Sequence, residues 1–470
     1  MQNYVIINLL LICVYKKIIM AINSPDKRIN YLTRPQNVCV PYLNRSVIRL
    51  KRSTPLTYQV RNSLTHRKPI ITKLESKVIH RQPLIDRNIL PLINTYSMKR
   101  QNLKEKVSKT RKKMMALLLP AHNEELIIQA TIKSAIAAGQ NIEDIYVVDD
   151  ASSDLTRQKA TELLGLNQVL TVERSGKAVA VLQAVRHFDI VNSYKWLHIA
   201  DADSVFGKDY FRIYRSKLKG KQYVVAVGFV QSLRGNWISH YRSFTYTYSQ
   251  HIIRRAQSWF NMISVFPGPI TSFRTDIIPQ LEFDVDSLTE DFDITLQVHR
   301  KRLGKIQFIP EAVNYTQDPQ TLRDFCKQTA RWQRGFFQGV LKYKIGTKLR
   351  SIDVSIGYQM FETVFYFIQM GIIVPLTIFL TGKWIILPII LMLDFFVVSL
   401  LAFFSAFATR RLTTLASLPY FYFLRWLELS IFLMAFVEVM ILKRFAHTAK
   451  GWQTEGRRYE LSTLALKDTA

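Results

Sequence analysis

Short apolar runs alternate with helix-like segments from Met115 onward, and this alternation predicts the fold. The first run, MALLLPAHNEE, is typical of a buried strand entering a loop, and ELIIQATIKSAIAAG has the apolar spacing of a helix that ends at Gly139. Strand-like runs recur in IEDIYVVDD, QVLTVE and WLHIAD, with helix-like TRQKATELLG and AVAVLQAVRHF between them. We therefore predict an α/β fold, with a Rossmann-like, mostly parallel sheet covered by helices.

The last quarter of the chain is apolar enough for a membrane. Residues 363–382 contain no charged side chain, and residues 384–409 contain only Asp394. Both stretches reach the length of about 20 residues that a spanning helix needs. We expect transmembrane helices here.

A third apolar stretch, residues 412–442, contains Arg425, Glu428 and Glu438. Arg425 and Glu428 are three positions apart, so a helix would place them on one face, where they can pair. Charged side chains at membrane depth face protein or water more often than lipid. The basic tail resembles a cytoplasmic C-terminus, which three spans would place outside, so the sequence leaves the number of spans open.

The chain carries a formal net charge of +29, and most of it lies in one segment. Residues 16–113 contain 24 Lys and Arg against 4 Asp and Glu, with no lasting apolar period. We interpret this segment as a mostly disordered, solvated arm. Attraction to an anionic membrane surface is the second reading. Nucleic-acid binding is the third, because no recognised nucleic-acid-binding motif accompanies the charge.

The apolar run at residues 4–15 is shorter than a membrane span. It predicts either a marginal anchor or a start codon assigned too far upstream. The three cysteines, Cys13, Cys39 and Cys326, are too few and too scattered for a disulfide framework or a zinc site. They fit a body that faces a reducing compartment.

Acidic pairs end two of the predicted strands. Asp149 and Asp150 close one strand, and Asp201 and Asp203 close another. In a parallel sheet these ends lie at one edge, where ligands bind. Such pairs are more often turn residues when they occur alone, but four carboxylates at one edge repel each other unless a cation is present. Mg²⁺ takes one or two protein carboxylates and fills its shell with phosphate and water. The sequence therefore predicts a metal and diphosphate site.

Seven motifs carry a family likeness. In order, LLLPAHNEE, VVDDASSD, RSGKAVAV, IADAD, FPGPITSFR, LTEDFDI and QTARW, followed by membrane helices, resemble the membrane-bound family 2 glycosyltransferases. The nearest in appearance are the processive enzymes that make cellulose, chitin, hyaluronan or poly-N-acetylglucosamine. The likeness covers roughly residues 115–460. It leaves the basic arm at 1–113 unexplained, and it implies a GT-A-type catalytic domain at 114–350 that ends in interfacial helices, transmembrane helices at 351–445 and a basic tail at 446–470.

The resemblance assigns a role to each matched residue. Donor-binding positions are Pro120, Asn123, Glu124, Asp150, Lys177, Asp201 and Asp203. Of these, Asp203 with Asp201 would hold Mg²⁺ or Mn²⁺ on the diphosphate.

The catalytic base implied by the resemblance is Asp291, with Glu290 as second choice. Transfer with inversion needs a base that accepts the proton of the acceptor hydroxyl. The same TEDFD segment is also typical of a helix start, with Thr289 as the cap. A base at a helix start is well oriented, so both interpretations can hold.

QTARW supplies Gln328, Arg331 and Trp332, which the resemblance places at the acceptor and diphosphate. An arginine can stabilise a departing diphosphate, and an indole offers a platform for a sugar ring. The alternative is an interfacial helix in which Arg331 and Arg334 face lipid phosphates. Gly268, together with Arg274 of FPGPITSFR, completes the acceptor set.

We therefore expect an inverting, metal-dependent enzyme that moves N-acetylglucosamine or glucose from a UDP-sugar onto a growing β-linked polysaccharide. Transfer of one sugar to a lipid or lipid-linked acceptor is the alternative, and a nucleic-acid-binding membrane protein is less favoured. The expected partners are the nucleotide-sugar, the saccharide or lipid acceptor and membrane lipid. The expected location is the plasma membrane, with the catalytic domain facing the cytoplasm.

Overall fold

The structure, a computed structural model, describes residues 112–284 and 286–444. The apolar run at residues 4–15, nearly all of the basic arm and the C-terminal tail lie outside these residues, so the predictions made for them stay predictions.

Eight strands and thirteen helices are present in the described residues. The strands are β1 (Lys113–Ala121), β2 (Ile145–Asp150), β3 (Val169–Val172), β4 (Tyr194–Ala200), β5 (Val205–Phe206), β6 (Tyr223–Ser232), β7 (Ile270–Arg274) and β8 (Lys305–Thr316). The helices are α1 (Ile128–Ala137), α2 (Thr156–Leu164), α3 (Lys177–His187), α4 (Ile190–Ser193), α5 (Tyr210–Lys217), α6 (Trp237–Tyr248), α7 (Arg255–Trp259), α8 (Glu290–Arg300), α9 (Leu322–Lys342), α10 (Ser351–Ile368), α11 (Val374–Thr381), α12 (Ile386–Ala408) and α13 (Leu418–Phe436).

The strands form one sheet in the order β3-β2-β1-β4-β7-β6-β8-β5. The first four strands are mutually parallel, and β6 and β8 are parallel to each other. Strand β7 runs antiparallel to both β4 and β6, and β5 antiparallel to β8. The predicted α/β class with a mostly parallel sheet is confirmed, while the antiparallel β7 is a feature that the apolar pattern did not reveal.

Strand β1 shows why the sequence contains a continuous apolar run. Leu118 faces the same core as Ala180 and Val181 of α3. Leu117 faces the opposite core, together with Ile128 of α1. Helices therefore cover both faces of the strand, and a strand buried on both faces is apolar at every position.

The parallel strands β1, β2 and β4 finish at one edge of the sheet. Leu118 pairs with Tyr146 of β2 and with Ile199 of β4, so the three strands advance together. The polar residues that follow each of them are consequently brought to that edge, as the sequence predicted.

Two helical stretches are long and apolar enough to cross a membrane. Ser351–Thr381 joins α10 and α11 through a π-helical turn and has a mean hydropathy of 2.0, and Ile386–Ala408 has 2.6. Most of their surface is exposed, including Phe379 at 83%. The first helix begins at Ser351, 12 residues before the start of the predicted span at residue 363. These added residues include polar side chains such as Gln359, which can belong to the helix because they are buried against the protein.

The third apolar stretch contains α13, and the ion pair that the spacing allowed does not form among the described residues. Arg425 does not pair with Glu428; its Nη1 lies 2.7 Å from Asp394 Oδ2 on α12. Glu428 instead accepts hydrogen bonds from Arg242 at 3.0 Å and Tyr241 at 2.8 Å, both on α6. A three-residue spacing places two side chains on one face of a helix, but it does not determine which other helix packs against that face. Here α12 supplies the partner of Arg425, and α6 supplies the partners of Glu428. The charged side chains face protein, as expected.

The Arg425 ion pair predicts a stability effect. Arg425 and Asp394 are both fully buried, and breaking such a pair by removing one partner costs about 3–5 kcal/mol. We expect Arg425→Met to lower the thermal unfolding temperature in detergent strongly. The exposed Arg410 is the matched control. Equal unfolding temperatures for Arg425→Met and Arg410→Met would contradict the role of the pair.

Candidate active site

A cavity of about 320 Å³ opens at the end of β4. One wall carries Asp201 and Lys177, and the loop at residues 266–269 forms a second wall. The start of α8 and the middle of α9 form the remaining wall of the cavity. Glu290 and Asp291 project from the α8 wall. The cavity size falls in the range of about 300–1,000 Å³ typical of ligand sites.

Asp291 occupies the second position of α8 and faces the cavity. Its Oδ1 accepts a hydrogen bond from Phe292 N at 2.8 Å, and among the described residues it forms no ion pair. Burial raises the pKa of Asp291 to about 6, and the charge of Glu290 adds to this, while Lys177 and Arg331 oppose it. A carboxylate with this pKa and no fixed cation suits a general base near neutral pH.

Lys177 is the first residue of α3 and bridges two acids. Its Nζ lies 2.5 Å from Asp201 Oδ1 and 3.4 Å from Glu290 Oε1. Burial opposes its charge, but the attraction of Asp201 and Glu290 prevails and raises the pKa of Lys177. The ion pair engages Glu290, which leaves Asp291 as the better placed base.

Asp150 is buried and holds the loop that leads to Lys177. Its carboxylate accepts hydrogen bonds from Arg174 Nη1 at 2.7 Å, Ser175 N at 2.8 Å and Gly176 N at 3.0 Å. Gly176 has a φ of +86°, which a residue with a side chain adopts rarely. Asp150 does not line the cavity itself, so its contact with the nucleoside stays a prediction.

The remaining donor-loop residues join two strand ends. Pro120 is buried at the end of β1. Asn123, at φ 54°, accepts a hydrogen bond from Ser153 N at 2.7 Å, and Glu124 N donates to Thr156 Oγ1 at 2.7 Å. These contacts fix the loop after β1 against the loop after β2, and none of the three lines the cavity.

Asp201 and Asp203 lie on one turn, closed by a hydrogen bond from Ser204 N to Asp201 O at 3.1 Å. Asp201 lines the cavity, whereas Asp203 is 4% exposed and does not. Among the described residues no group of three or more His, Cys, Asp or Glu could hold a metal ion. Two carboxylates fit an ion whose other ligands come from a diphosphate and water.

Thr289 stands at the predicted cap position but does not cap α8. Its side chain accepts no hydrogen bond from the helix start. It packs instead against Gly335 of α9, where an added Cβ would lie 2.6 Å from Thr289 Cγ2. At Gly339, one turn further, an added Cβ would lie 2.6 Å from Phe292 Cε1. These two glycines let α9 approach the segment that carries Asp291.

The QTARW residues lie on α9. Arg331 lines the cavity and donates from Nη1 to Leu288 O at 3.0 Å, and Trp332 lines it as well. Gln328 accepts a hydrogen bond from Arg242 Nη2 at 3.3 Å and lies behind the wall. Arg334 pairs with Glu438 at 2.6 Å. Both arginines therefore have protein partners, which disfavours the interfacial-helix alternative.

Arg242 is a cavity residue that the motifs did not reveal. It is 4% exposed, pairs with Glu428, and its guanidinium lies 4.8 Å from the centre of the Trp332 ring. It thereby links α6, α9 and α13. Its place in WISHYRSFTYTY, a segment outside the seven motifs, gave no sequence signal.

Of the two residues predicted for the acceptor loop, Gly268 lines the cavity and Arg274 does not. Gly268 lines the cavity, and an added Cβ there would lie 3.4 Å from Asp291 Oδ2. Arg274 lies at the opposite end of β7, paired with Trp196 near the start of β4. It donates to Lys221 O at 2.6 Å and to Asp276 at 2.7 Å. A five-residue strand separates Arg274 from the cavity, so the structure does not bring it to the acceptor.

If Asp291 is the base that the resemblance implies, its raised pKa sets the pH dependence of the expected transfer. A base acts only when it is deprotonated, so activity is present above about pH 6 and is lost as the pH falls through that value. We expect the rate to drop tenfold per pH unit on this acidic side. A rate that is flat from pH 7 to pH 5 would contradict the assignment.

The fold and cavity together define a class: an α/β protein with acids, a lysine and an arginine gathered at the carboxyl edge of its sheet, beside two long apolar helices. The family model for glycosyl transferase family group 2 matches residues 196–437, which is about half of the chain. The chain belongs to this family. The predicted resemblance and the prediction of an enzyme are thereby confirmed.

The individual proteins with similar sequences include poly-β-1,6-N-acetyl-D-glucosamine synthases. The chain is 24% identical to the poly-β-1,6-N-acetyl-D-glucosamine synthase of Staphylococcus aureus (strain COL) over 256 residues, which are 53% of this chain and 61% of that protein. The corresponding synthase of Staphylococcus epidermidis is 23% identical over the same shares. The chain thus matches about three fifths of the length of these relatives.

Solved structures with a similar fold are more distant. A mannosyltransferase from Pyrobaculum calidifontis, solved with GDP-mannose and Mn²⁺, is 16% identical, with a TM-score of 0.45 over 75% of this chain and 95% of that one. Glucosyl-3-phosphoglycerate synthase from Mycobacterium tuberculosis, solved with Mn²⁺, UDP and its product, is 17% identical, with a TM-score of 0.37 over 52% of this chain and 84% of that one.

Proposed function

We propose that this chain is an inverting glycosyltransferase that moves N-acetylglucosamine from a UDP-sugar onto a growing β-linked polysaccharide at a membrane. The observation that carries the proposal is the position of Asp291. It faces a cavity that also contains Arg331, Trp332 and Gly268, and it forms no ion pair among the described residues. Similarity to poly-N-acetylglucosamine synthases supports the choice of sugar.

The residues of the cavity divide the work of transfer. Asp291 accepts the proton of the acceptor hydroxyl while the acceptor oxygen bonds to the anomeric carbon from the face opposite the diphosphate. The bond to the diphosphate breaks, and UDP leaves with the electron pair. Lys177 and Arg331 supply positive charge on the cavity wall where the diphosphate departs. Trp332 offers a flat surface on which a sugar ring can stack.

Asp203 and Asp201 would hold a Mg²⁺ or Mn²⁺ ion, which neutralises part of the diphosphate charge when it is bound. Asp150 and the loops around Pro120, Asn123 and Glu124 would enclose the nucleotide. Support comes from the contacts that fix these loops at the same sheet edge.

We place the two apolar helices in a lipid bilayer of the plasma membrane. Their length, their mean hydropathy of 2.0 and 2.6, and their exposed apolar surface support this. Gln359 on the first of them lines the same cavity as Asp291, which suits a path for the product from the site into the membrane region. We propose that the catalytic domain faces the cytoplasm, where a UDP-sugar donor is made.

Membranes that contain the chain test the proposal. They are incubated with Mg²⁺ or Mn²⁺ and a series of radiolabelled UDP-sugars, and the products are separated by size. We expect consumption of UDP-N-acetylglucosamine and a ladder of product lengths. One labelled glycolipid of fixed size would support transfer of a single sugar instead. Absence of both incorporation and donor hydrolysis with every sugar would refute the proposal.

A further inference from the structure

Arg254 is a cavity residue that belongs to none of the seven motifs. It is 8% exposed, yet it lines the same cavity as Asp291. It ends a π-helical turn, Ser249–Arg254, that lies between α6 and α7. Such turns interrupt α-helices frequently at functional sites.

The guanidinium of Arg254 has few partners for a buried cation. Among the described residues its one hydrogen bond is from Nη1 to Gln250 Oε1, at 3.3 Å, and it forms no ion pair. Its Nε is buried without a hydrogen-bond partner. Burial lowers the pKa of Arg254 to about 10 while the nearby charge of Asp291 opposes this shift, so Arg254 stays charged at neutral pH. Buried charged groups in proteins nearly always have partners, so this group calls for a ligand.

The other buried cations on the cavity wall are already engaged. Lys177 pairs with Asp201, and Arg242 pairs with Glu428. Gln250 holds its orientation through Val230, since its Nε2 donates to Val230 O at 2.7 Å and its Oε1 accepts from Val230 N at 3.0 Å. Arg254 is therefore held by the fixed side chain of Gln250, and its other N–H groups remain available to a ligand in the cavity.

The position of Arg254 separates it from the donor residues. Lys177 follows β3 and Asp201 follows β4, and both strands belong to the parallel half of the sheet. The guanidinium of Arg254 lies 6.0 Å from the centre of the Phe308 ring of β8, and its partner Gln250 bonds to Val230 of β6, so Arg254 belongs to the other half. Asp291 faces the same cavity between these halves. Because the donor would occupy the first half, Arg254 faces the space left for the acceptor.

We propose that Arg254 binds the acceptor saccharide: its N–H groups donate to hydroxyl or acetamido oxygens of the terminal sugar and so hold that sugar's hydroxyl at Asp291. The inference rests on the proposed function. The cavity wall around Arg254 has the mixture that carbohydrates use, with hydroxyl and amide side chains beside aromatic rings. These are Ser249, Gln250, Ser264, Thr316, Tyr246 and Phe266.

Kinetics of Arg254→Met in the full chain test the inference. The probes are a β-1,6-linked N-acetylglucosamine pentamer as acceptor and UDP-N-acetylglucosamine as donor. We expect the acceptor KM to rise about 10- to 100-fold, the range for losing hydrogen bonds from a charged donor, and the donor KM to change less than about twofold. Arg254→Lys keeps the charge without the planar fork and should recover part of the acceptor affinity.

Arg255→Met is the matched control, since Arg255 is the next residue and is exposed. An unchanged acceptor KM in Arg254→Met would overturn the inference, as would equal rises for both substrates. A shifted acidic limb of the pH profile with an unchanged acceptor KM would also overturn it, since Arg254 would then act only through Asp291. If Arg254→Met does not fold, Arg254→Lys and Arg254→Gln give the same comparison.

Failure of the proposed function has a different signature. Wild-type protein that turns over no UDP-sugar refutes that function, and binding of the pentamer to wild type and Arg254→Met is then compared directly by calorimetry. Equal affinities would overturn the Arg254 inference independently of turnover.

Discussion

Asp291→Asn is expected to lower sugar transfer by about 100- to 10,000-fold, the contribution of a positioned general base. The substitution keeps the shape of the side chain but removes its ability to accept the acceptor proton. Asp291 is suited to this effect because its Oδ1 bonds only to Phe292 N and it has no ion pair among the described residues. The fold should survive, since no salt bridge is lost.

Glu290→Gln separates the two candidate bases. Glu290 lies 3.4 Å from Lys177, so its loss should affect donor-side charge more than proton transfer. We expect Glu290→Gln to keep an acidic limb that is shifted to lower pH, because the charge of Glu290 no longer raises the pKa of Asp291, whereas Asp291→Asn should abolish the limb together with the activity. The exposed Asp286, in the preceding loop, gives the control Asp286→Asn. Transfer by Asp291→Asn at the wild-type rate would remove the base and with it the proposed mechanism.

The sequence predicted those parts of the fold that depend on local periodicity. Strand β1 is apolar at consecutive positions because helices cover both of its faces, and that pattern is visible without coordinates. The acids at strand ends were predictable for a similar reason, since parallel strands finish at one edge. The strand direction of β7 was not predictable, because the five residues ITSFR are compatible with either direction.

Side-chain partners across the fold were the least predictable part of the site. Helix spacing placed Arg425 and Glu428 on one face, yet each found its partner on a different helix. Arg242 and Arg254 reach the cavity from helical segments without any motif, and only the packing of α6 against the sheet and α9 reveals them. Arg274 shows the opposite case, because a motif match assigned it to the acceptor set while β7 carries it to the strand end away from the cavity.

The approach of α9 to α8 sets the position of Asp291, and Gly335 permits that approach. An added Cβ at residue 335 would lie 2.6 Å from Thr289 Cγ2 and 3.0 Å from Thr289 Cβ, closer than real Cβ contacts. Thr289 is buried, and it precedes Glu290 and Asp291 directly. The helix or the TED segment must therefore move to admit even a methyl group.

Gly335→Ala is accordingly expected to reduce transfer by about 100-fold, the cost of misplacing a reacting group by roughly 1 Å, and to destabilise the protein by about 1–3 kcal/mol through overpacking. Transfer rate and thermal unfolding are measured together. Gly357→Ala is the matched control, because Gly357 lies in the helix α10 and an added Cβ there meets nothing within 4 Å. Alanine favours a helix over glycine, so this control should be at least as stable as wild type. If Gly335→Ala transferred sugar at the rate of Gly357→Ala, α9 would not position the base, and Arg331 and Trp332 would owe their place in the cavity to other contacts.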